Sequence, residues 1–414
     1  MPKHITEWNI YDIMTRYPNT REVFVHNGFA PFADDAVLRQ WGAMLKLRTA
    51  LQAKHIQERW FLPLLEQKIE EAENAGLAVG AGPGSHVGRL NLLALLPCPL
   101  KVPIETELSD VLQRLQEKKG LKLNVCIESN ADHPVKFLDY VKYFTEPDEL
   151  PDIILLTGFH FMLREFVERF VETGIFTAVP NQDVNRRLTG TELVDADGHF
   201  SVIAANALVM VADIRRLGEV PAPQSWGNIL QPAYEGKVVI RGHKGSFCDI
   251  VQLNYYKDYG AEGLAKLAKA VKYGLHPAEM VRELSSSRPQ IPPIHIMPYF
   301  FARTLANHSH LEIIWPEEGA LAYPILVLVK KDQLETVREL AECLTGPRIA
   351  RICAGASFPA IHPEASWAIP SEARLKWIGW NFVKQQNIEQ LIEQLNADFL
   401  AVQQAERADK KVAE

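Results

Sequence analysis

The stretch SWGNILQPAYEGKVVIRGHKGS, residues 225–246, decides the fold prediction. A turn runs from Trp226 to Gly236, and the apolar run 237–240 then predicts a short strand. A basic, glycine-broken loop follows, and a helix is predicted to begin directly after it. Ligands of open α/β sheets bind outside the carboxyl ends of strands. The stretch therefore predicts a ligand-binding loop in an α/β domain.

Length and composition indicate a multidomain globular protein. A chain of 414 residues predicts two or three domains. The hydrophobic content of 47% and the charged content of 23% are typical of a soluble protein. A net charge of −7 argues against general binding to nucleic acids or anionic membranes. Neither a signal sequence nor an apolar run long enough for membrane insertion is found, so a cytoplasmic location is predicted.

The sequence contains no motif of a known catalytic or metal centre. Its five scattered cysteines show no paired spacing and predict free thiols. Catalytic-triad order, a Walker-type phosphate loop and the HExxH zinc motif are absent from the sequence. The sequence therefore predicts neither an enzyme nor a bound cofactor.

The chain divides into a helical part and an alternating part. Residues 1–73 predict a helical N-terminal domain, and the glycine-rich segment 74–88 predicts a linker. From residue 89 onward strand-like and helical runs alternate, which is typical of a βαβ-type sheet. Two separate helices, 249–259 and 263–273, are predicted after the basic loop.

The alternating part resembles the type II periplasmic solute-binding proteins, the substrate-binding proteins of ABC transporters, in their ferric-iron and small-anion branch. The resemblance covers about residues 88–400. Five stretches in the family's order carry it: IILLTG (153–158), ALVMVAD (207–213), residues 225–240, IHIMPYFF (294–301) and EGALAYPILVLV (318–329).

The resemblance implies a two-lobed α/β fold behind an N-terminal all-α domain. Residues 89–205 and 320–414 would form lobe 1, and residues 206–319 would form lobe 2 with the hinge strands. A ligand would be captured between the lobes by hinge closure. Amphipathic helix 387–411 is expected to dock on the first lobe.

Residues 5–35 resemble a small helical domain of unknown function that occurs beside iron–sulfur repair and hybrid-cluster-associated proteins. In that family a cysteine usually follows the Asn-Gly or Tyr-Gly turn. Here the segment Phe29-Ala30-Pro31-Phe32 follows Asn27-Gly28. This departure removes the basis for thiol or metal chemistry, so the domain is expected to dock a partner protein.

Most candidate ligand contacts belong to the second lobe. The basic loop offers a ligand backbone N–H groups, a guanidinium and a hydroxyl. The alternative interpretation is a solvated turn that binds no ligand. A polar run further along could bind an oxyanion or a carboxylate, and its alternative is a helix C-terminal loop. These second-lobe candidates are Arg241, Gly242, His243, Ser246 and Cys248 in the loop, and Ser285, Ser286 and Arg288 in the run.

Tyr299 stands where ferric-binding relatives carry a pair of iron-ligating tyrosines. Phe300 and Phe301 follow it, so the pair is lost and a single phenolate is weak support for ferric iron. Tyr299 is predicted to stack on a ligand, and the alternative is a core tyrosine with a satisfied hydroxyl. Asn206, on a crossing strand, is predicted to bind either the ligand or the neighbouring backbone.

The first-lobe candidates follow two early strands. They are Cys98, Gly158, Phe159 and His160. Cys98 could bind a soft metal together with Cys248 or His243, although free cysteine more often packs as a small apolar residue.

The sequence thus predicts a cytoplasmic solute-binding protein that captures a small ligand, anionic or metal-complexed, and serves as a sensor. Two alternatives stay open: a thiol- or metal-linked redox protein using Cys98 and Cys248, and a purely structural interaction protein.

Overall fold

The computed structural model describes residues 4–74, 90–129, 140–141, 143–159, 162–180, 183–188, 190–243, 246–286, 288, 290–366 and 369–413. The predicted linker, apart from Asn74, and the candidate His160 lie outside these residues. Of the helices described, none has the length and apolar character needed to span a membrane.

Twelve strands are described. They are β1 Leu92–Leu96, β2 Val125–Ser129, β3 Ile153–Thr157, β4 Phe176–Thr177, β5 Ser201–Asp213, β6 Val238–His243, β7 Ser246–Phe247, β8 Val271–Leu275, β9 Ile294–Pro298, β10 Leu311–Ile314, β11 Ala320–Lys330 and β12 Leu375–Lys376.

The α-helices described are α1 Ile10–Arg16, α2 Arg21–His26, α3 Asp35–Val37, α4 Leu47–Ala53, α5 Glu58–Asn74, α6 Cys98–Lys119, α7 Arg164–Phe166, α8 Ile214–Leu217, α9 Asp249–Ala270, α10 Pro277–Leu284, α11 Tyr299–Ala302, α12 Leu334–Thr345, α13 Pro347–Gly355, α14 Trp380–Gln385 and α15 Ile388–Ala413.

The chain forms two compact units. Unit 1 comprises Met1–Pro180, Gly198–Ser201 and Leu326–Leu344, and unit 2 comprises Asn181–Asp197, Val202–Ile325 and Thr345–Glu414. Strands β5 and β11 each contribute residues to both units. The two-unit α/β fold with an N-terminal helical region confirms the predicted fold class.

The N-terminal helices of unit 1 enclose an aromatic core. Phe24 lies at the centre, with its ring 5.2 Å from that of Phe61 and 5.7 Å from that of Phe29. Asn9 begins α1, and its side chain accepts a hydrogen bond from the Asp12 amide at 2.7 Å. Burial of these rings stabilises helices that are too short to be stable alone.

The sheet of unit 1 has the strand order β2-β1-β3-β11. Strand β1 pairs in parallel with both β2 and β3, and β4 pairs antiparallel with the end of β11. Every residue of β1 and β3 is buried. Parallel strands are covered on both faces, which explains why both were visible in the sequence as continuous apolar runs.

The sheet of unit 2 is built around β5, β9 and β6. Strand β5 pairs antiparallel with β9, and β9 pairs in parallel with β6. Strand β8 pairs in parallel with β6, and β10 pairs antiparallel with β5. The helix predicted over 263–273 therefore ends earlier, because Val271 to Leu275 form the edge strand β8. The helices predicted over 249–259 and 263–273 form one element, α9, which is kinked at Gly260, where φ is +66°.

Helix α15 packs on α9 within unit 2. The Gln403 side-chain amide donates to the Val271 carbonyl at 2.8 Å, and Lys269 forms an ion pair with Glu406 at 3.2 Å. The sequence analysis expected this helix to dock on the first lobe, whereas its contacts are with α9 and β8 of unit 2. An amphipathic pattern shows that a helix has a buried face, but it carries no information about which element covers that face.

Candidate ligand-binding edge of unit 2

The strands of unit 2 bring several predicted site residues to one edge of its sheet. Strands β6 and β9 are parallel neighbours, with Val238 opposite Ile294 and Ile240 opposite Ile296. Their carboxyl ends therefore lie side by side. We call this the carboxyl edge, and it carries Arg241 and Gly242 at the end of β6 and Tyr299 directly after β9.

The two strands that flank the predicted basic loop, β6 and β7, form a short antiparallel pair, which we call the hairpin. Gly242 pairs with Phe247 and His243 with Ser246 across β6 and β7, and the Cys248 amide donates to the Arg241 carbonyl at 2.9 Å. A Cβ atom on Gly242 would lie only 3.0 Å from the Gly274 Cα. Glycine at position 242 thus allows the hairpin to lie directly against β8.

Arg241 is exposed at the start of this hairpin. Its side chain makes neither a hydrogen bond nor an ion pair with any residue in the part of the chain that the structure describes. The nearby carboxylate of Asp249 is already engaged, since it accepts from the Tyr323 hydroxyl at 2.9 Å and from the Ile250 amide at 2.8 Å. Burial, followed by the charge of Asp249, raises the pKa of Tyr323 well above its usual value. Arg241 is thus a cation at a strand end without a bonded counter-ion among these residues.

Asp249 also occupies the first turn of α9. The sequence analysis expected a helix to begin here and its N-terminus to favour a bound anion. The helix begins as expected, but a carboxylate of the chain itself already interacts with that N-terminus. The guanidinium of Arg241, rather than the helix, is therefore the feature of this hairpin that favours an anion.

The two predicted thiol residues lie in different environments. Cys248 is buried, and burial raises the pKa of its thiol to about 12, with a further contribution from Asp249. Cys98 is exposed in unit 1, where its Sγ lies 3.0 Å from Ser129 Oγ. Within the described ranges no cluster of three or more His, Cys, Asp or Glu side chains is placed to hold a metal ion.

Tyr299 opens the short helix α11 and is half-buried. Its ring packs edge-on against Trp315 at 5.2 Å, while its hydroxyl makes no hydrogen bond to any described residue. The next residue, Phe300, stacks on Phe358 at 5.1 Å. Tyr299 therefore differs from a core tyrosine with a satisfied hydroxyl, and its ring and hydroxyl are both available at the carboxyl edge.

Asn206 is the one residue of β5 that is not buried. The side-chain amide of Asn206 forms no hydrogen bond with the described residues, so it does not bind the neighbouring backbone. The preceding residue, Ala205, donates its amide to the Pro359 carbonyl at 2.9 Å. Asn206 thus lies next to the segment that carries Phe358, and its side-chain amide is available for a hydrogen bond to a ligand.

Arg303 and Ser357 are two polar residues of this region that the sequence analysis missed. Arg303 Nη1 donates to Ser357 Oγ at 2.8 Å. Ser357 is buried and has a φ of +68°, a strained conformation for a non-glycine residue. Such strain concentrates at functional sites. The available signal was the GAS turn after a helix, at 355–357, which precedes Phe358.

The polar run around Ser286 lies at the opposite edge of the sheet. Helix α10 connects the carboxyl end of β8 to the amino end of β9, so the segment after it lies at the amino edge. Ser285 and Ser286 donate their hydroxyls to helix carbonyls, each at 2.8 Å, and the Ser286 carbonyl accepts from Arg216 at 2.6 Å. The structure therefore does not bring Ser285, Ser286 or the exposed Arg288 together with Arg241.

The first-lobe candidates lie at one edge of the sheet of unit 1. Gly158, with a φ of +92°, and the buried Phe159 follow β3, and Cys98 follows β1, the parallel neighbour of β3. The Phe159 carbonyl accepts a hydrogen bond from the Met162 amide at 2.8 Å. Their contact with a ligand stays a prediction.

A polar cluster joins Glu283 of α10 to the buried His295 and the half-buried Tyr273. His295 Nε2 is 3.4 Å from Glu283 Oε2, and the Tyr273 hydroxyl donates to the same carboxylate at 3.1 Å. Burial lowers the pKa of His295, and the hydrogen bond with His295 is the main cause that lowers the pKa of Glu283. Burial, together with Glu283, raises the pKa of Tyr273 to about 12. At neutral pH the cluster holds a neutral imidazole against a carboxylate.

We expect the stability of the protein to fall as the pH is lowered from 7.5 to 5. His295 has a depressed pKa in the folded state, so its contribution is complete above its ordinary pKa of 6.5 and is lost as the pH falls. The depressed pKa of Glu283 acts in the same direction at lower pH. Urea denaturation at both pH values should show a smaller difference in His295→Gln than in the native protein. If His295→Gln showed the same loss of stability between pH 7.5 and 5 as the native protein, the prediction would be wrong. The control is His308→Gln, at a half-buried site outside the cluster.

The fold and the carboxyl edge define a protein with the type II periplasmic-binding-protein fold. Residues 148–386 match the family of bacterial extracellular solute-binding proteins, and residues 6–59 match DUF1858, a domain of unknown function. The first match covers more than half of the chain, which therefore belongs to the bacterial extracellular solute-binding protein family. Both predicted resemblances are confirmed.

Solved structures of similar proteins show the same fold. The ferric iron-binding protein A of Mannheimia haemolytica, in an open conformation, is 16% identical with a TM-score of 0.51, over 76% of this chain and 98% of that one. Apo FutA2 of Synechocystis PCC6803 is 15% identical with a TM-score of 0.54, over 76% and 98%. An ABC transporter protein of Clostridium perfringens is 14% identical with a TM-score of 0.54, over 76% and 99%. No curated protein sequence matches this chain.

Proposed function

We propose that the protein binds a small anionic solute, free or complexed with a metal, at the carboxyl edge of unit 2. The observation that carries this proposal is the guanidinium of Arg241, which lies at a strand end and forms no hydrogen bond or ion pair with a carboxylate among the described residues. Membership of a solute-binding family supports a binding role rather than a catalytic one.

The other polar groups of the edge suit an anion with hydrogen-bonding oxygens. Arg303 adds a second cation, and Asn206 and the Tyr299 hydroxyl add donors that the described chain does not use. Hydrogen bonds from a guanidinium to a carboxylate or an oxyanion are about twice as strong as those between neutral groups. The half-buried rings of Tyr299 and Phe300 would exclude water beside such a ligand.

Iron enters this proposal only as part of the cargo. The Mannheimia protein is a ferric iron-binding protein, and a Trichodesmium relative of the same fold, 14% identical with a TM-score of 0.51, was solved with iron and citrate. Here Tyr299 is followed by two phenylalanines, and the described residues supply no set of three metal ligands. A metal would thus be held through its anionic chelator, which Arg241 and Arg303 would bind.

We further propose that capture involves hinge closure and that the protein acts as a cytoplasmic sensor with the N-terminal domain as its docking element. Hinge closure is proposed from membership of the family. The docking role is proposed because the N-terminal helices are attached to the rest of unit 1 through Arg48, Thr49 and the buried Glu149. Cell fractionation tests the location, and recovery of the protein outside the cytoplasm would overturn it.

Arg241→Gln is expected to weaken anion binding about 10- to 100-fold, because it removes a charged hydrogen-bond donor worth about 1.5–3 kcal/mol. Isothermal titration calorimetry with phosphate, sulfate, citrate and ferric citrate measures this effect. Arg282→Gln, which removes an exposed arginine of α10, is the matched control and should bind as the native protein does. Equal affinity of Arg241→Gln and the native protein for every anion that binds would contradict the proposal.

A further inference from the structure

Helix α15 lies outside the part of the chain that matches the solute-binding family. The match ends at residue 386, and α15 spans Ile388–Ala413. The helix nevertheless reaches the hairpin of the carboxyl edge, β6 with β7.

Asn396 of α15 forms hydrogen bonds with both sides of the hairpin's attachment to α9. Its Oδ1 accepts from the Phe247 amide at 3.0 Å and from the Gln252 side-chain amide at 3.3 Å. Phe247 belongs to β7, and Gln252 lies in the first turns of α9 and is buried. One side-chain oxygen thus ties the second strand of the hairpin to the helix that follows it.

Phe399, one turn further along α15, holds the same strand through its ring. The rings of Phe247 and Phe399 are 4.8 Å apart. On its other side Phe247 covers the two facing glycines, since its ring atoms lie 3.1 Å and 2.9 Å from the Cβ positions that Gly242 and Gly274 would have. The Phe247 ring therefore packs against the glycines of β6 and β8 and also against the side chain of Phe399.

These contacts matter because the hairpin has little pairing of its own. Strand β7 has two residues, and such a short antiparallel pair is marginally stable in water without packing. Arg241 precedes Gly242 directly, and its carbonyl accepts from the Cys248 amide at 2.9 Å. Any displacement of Phe247 would therefore be transmitted to the backbone of Arg241.

We propose that Asn396 and Phe399 are positioning residues that hold the Arg241 hairpin in the conformation that binds the anion. This inference rests on the proposed function of the carboxyl edge. Neither residue needs to touch the anion. Their effect is preorganisation, because a hairpin that is already ordered loses less conformational entropy when a ligand binds.

The test compares Asn396→Leu with Gln403→Leu in the full chain. Both variants remove a hydrogen bond between α15 and unit 2, but Gln403 bonds to Val271, away from the hairpin. Hydrogen–deuterium exchange at the Phe247 amide, measured without any anion, should be about tenfold faster in Asn396→Leu and unchanged in Gln403→Leu. Citrate affinity should fall about tenfold in Asn396→Leu alone.

Asn396→Asp supplies the rescue, because an aspartate keeps an oxygen that can accept both hydrogen bonds. It should restore slow exchange at Phe247 and most of the citrate affinity. Phe399→Leu, which keeps an apolar side chain at this position, is the second variant if Asn396→Leu does not fold. Its exchange at Phe247 should again exceed that of Gln403→Leu.

Two results would overturn the inference: equal exchange at Phe247 in Asn396→Leu and Gln403→Leu, or faster exchange with an unchanged citrate affinity. Its failure can be told apart from failure of the proposed function. If the native protein does not bind citrate, the proposed function fails for this anion. The exchange at Phe247 then decides alone whether α15 positions the hairpin.

Discussion

Replacing Glu149 with alanine is expected to lower the free energy of unfolding by about 2–4 kcal/mol, because the change breaks a partly buried ion pair with Arg48 and leaves the buried Thr49 hydroxyl without its acceptor. Glu149 is 1% exposed and lies at the contact between the N-terminal helices and the α/β part of unit 1. A carboxylate in such a place is tolerated only when its oxygens are fully bonded.

The structure gives Glu149 partners on both sides of this contact. From α4 it accepts hydrogen bonds from the Thr49 hydroxyl and from Arg48 Nη2, the latter at 3.3 Å. From its own segment it accepts from the amides of Thr145 at 3.0 Å and Glu146 at 3.1 Å. Removing the carboxylate therefore weakens the attachment of the N-terminal helices and the turn at 145–149 together.

Urea or guanidinium denaturation of Glu149→Ala, followed by circular dichroism, measures the loss. Asp148→Ala is the matched control, because Asp148 pairs with Lys46 across the same contact at 3.2 Å but is 67% exposed. The control should cost less than about 1 kcal/mol, as exposed ion pairs do. Similar losses of unfolding free energy in the two variants would show that the burial of Glu149 does not stabilise the contact between the N-terminal helices and the rest of unit 1.

Trp226→Ala is the second change with a large expected effect, about 3–5 kcal/mol of unfolding free energy. Trp226 is 2% exposed, and its indole N–H donates to the Gly319 carbonyl at 2.8 Å. Its own carbonyl accepts from the buried Tyr255 hydroxyl at 2.8 Å, and the two rings pack edge-on at 6.3 Å. Alanine would leave a cavity next to α9 and an unpaired carbonyl on the segment that precedes β11.

Thermal and chemical denaturation measure this effect, with Trp60→Ala as the control. Trp60 lies on α5 and is 69% exposed, so its removal should change stability by no more than about 0.5 kcal/mol. The prediction for Trp226 would be wrong if both tryptophans could be replaced at similar cost. The Trp-anchored turn that first suggested the fold would then have no special part in its stability.

The strands were predictable because burial leaves a simple pattern in the sequence. Strands β1, β3 and β11 are buried along their whole length, and each is a continuous apolar run. Strand β8 was missed because AKAVKY, residues 268–273, has helical character and becomes a strand only through pairing with β6. In that case tertiary contact overrides local preference.

The candidate site was predictable only in part. Arg241 and Tyr299 could be found because each directly follows a recognisable strand. The bond between Arg303 and Ser357 could not be found, since it joins residues far apart in the chain and depends on a strained backbone at Ser357. The edge at which Ser285 and Ser286 lie likewise depends on the direction of α10 across the sheet, which composition does not encode.

The interleaving of the two units has a consequence for synthesis on the ribosome. Unit 1 needs Leu326–Leu344, so it cannot be completed until most of the chain, including nearly all of β5 to β10, has emerged. Within this late segment Lys330 lies 3.8 Å from the carboxylate of Asp152, which is 1% exposed and accepts from the Asn91 side chain at 2.7 Å. We therefore expect the core of unit 1 to close only after residues 326–344 have been synthesised, and not ahead of the second unit.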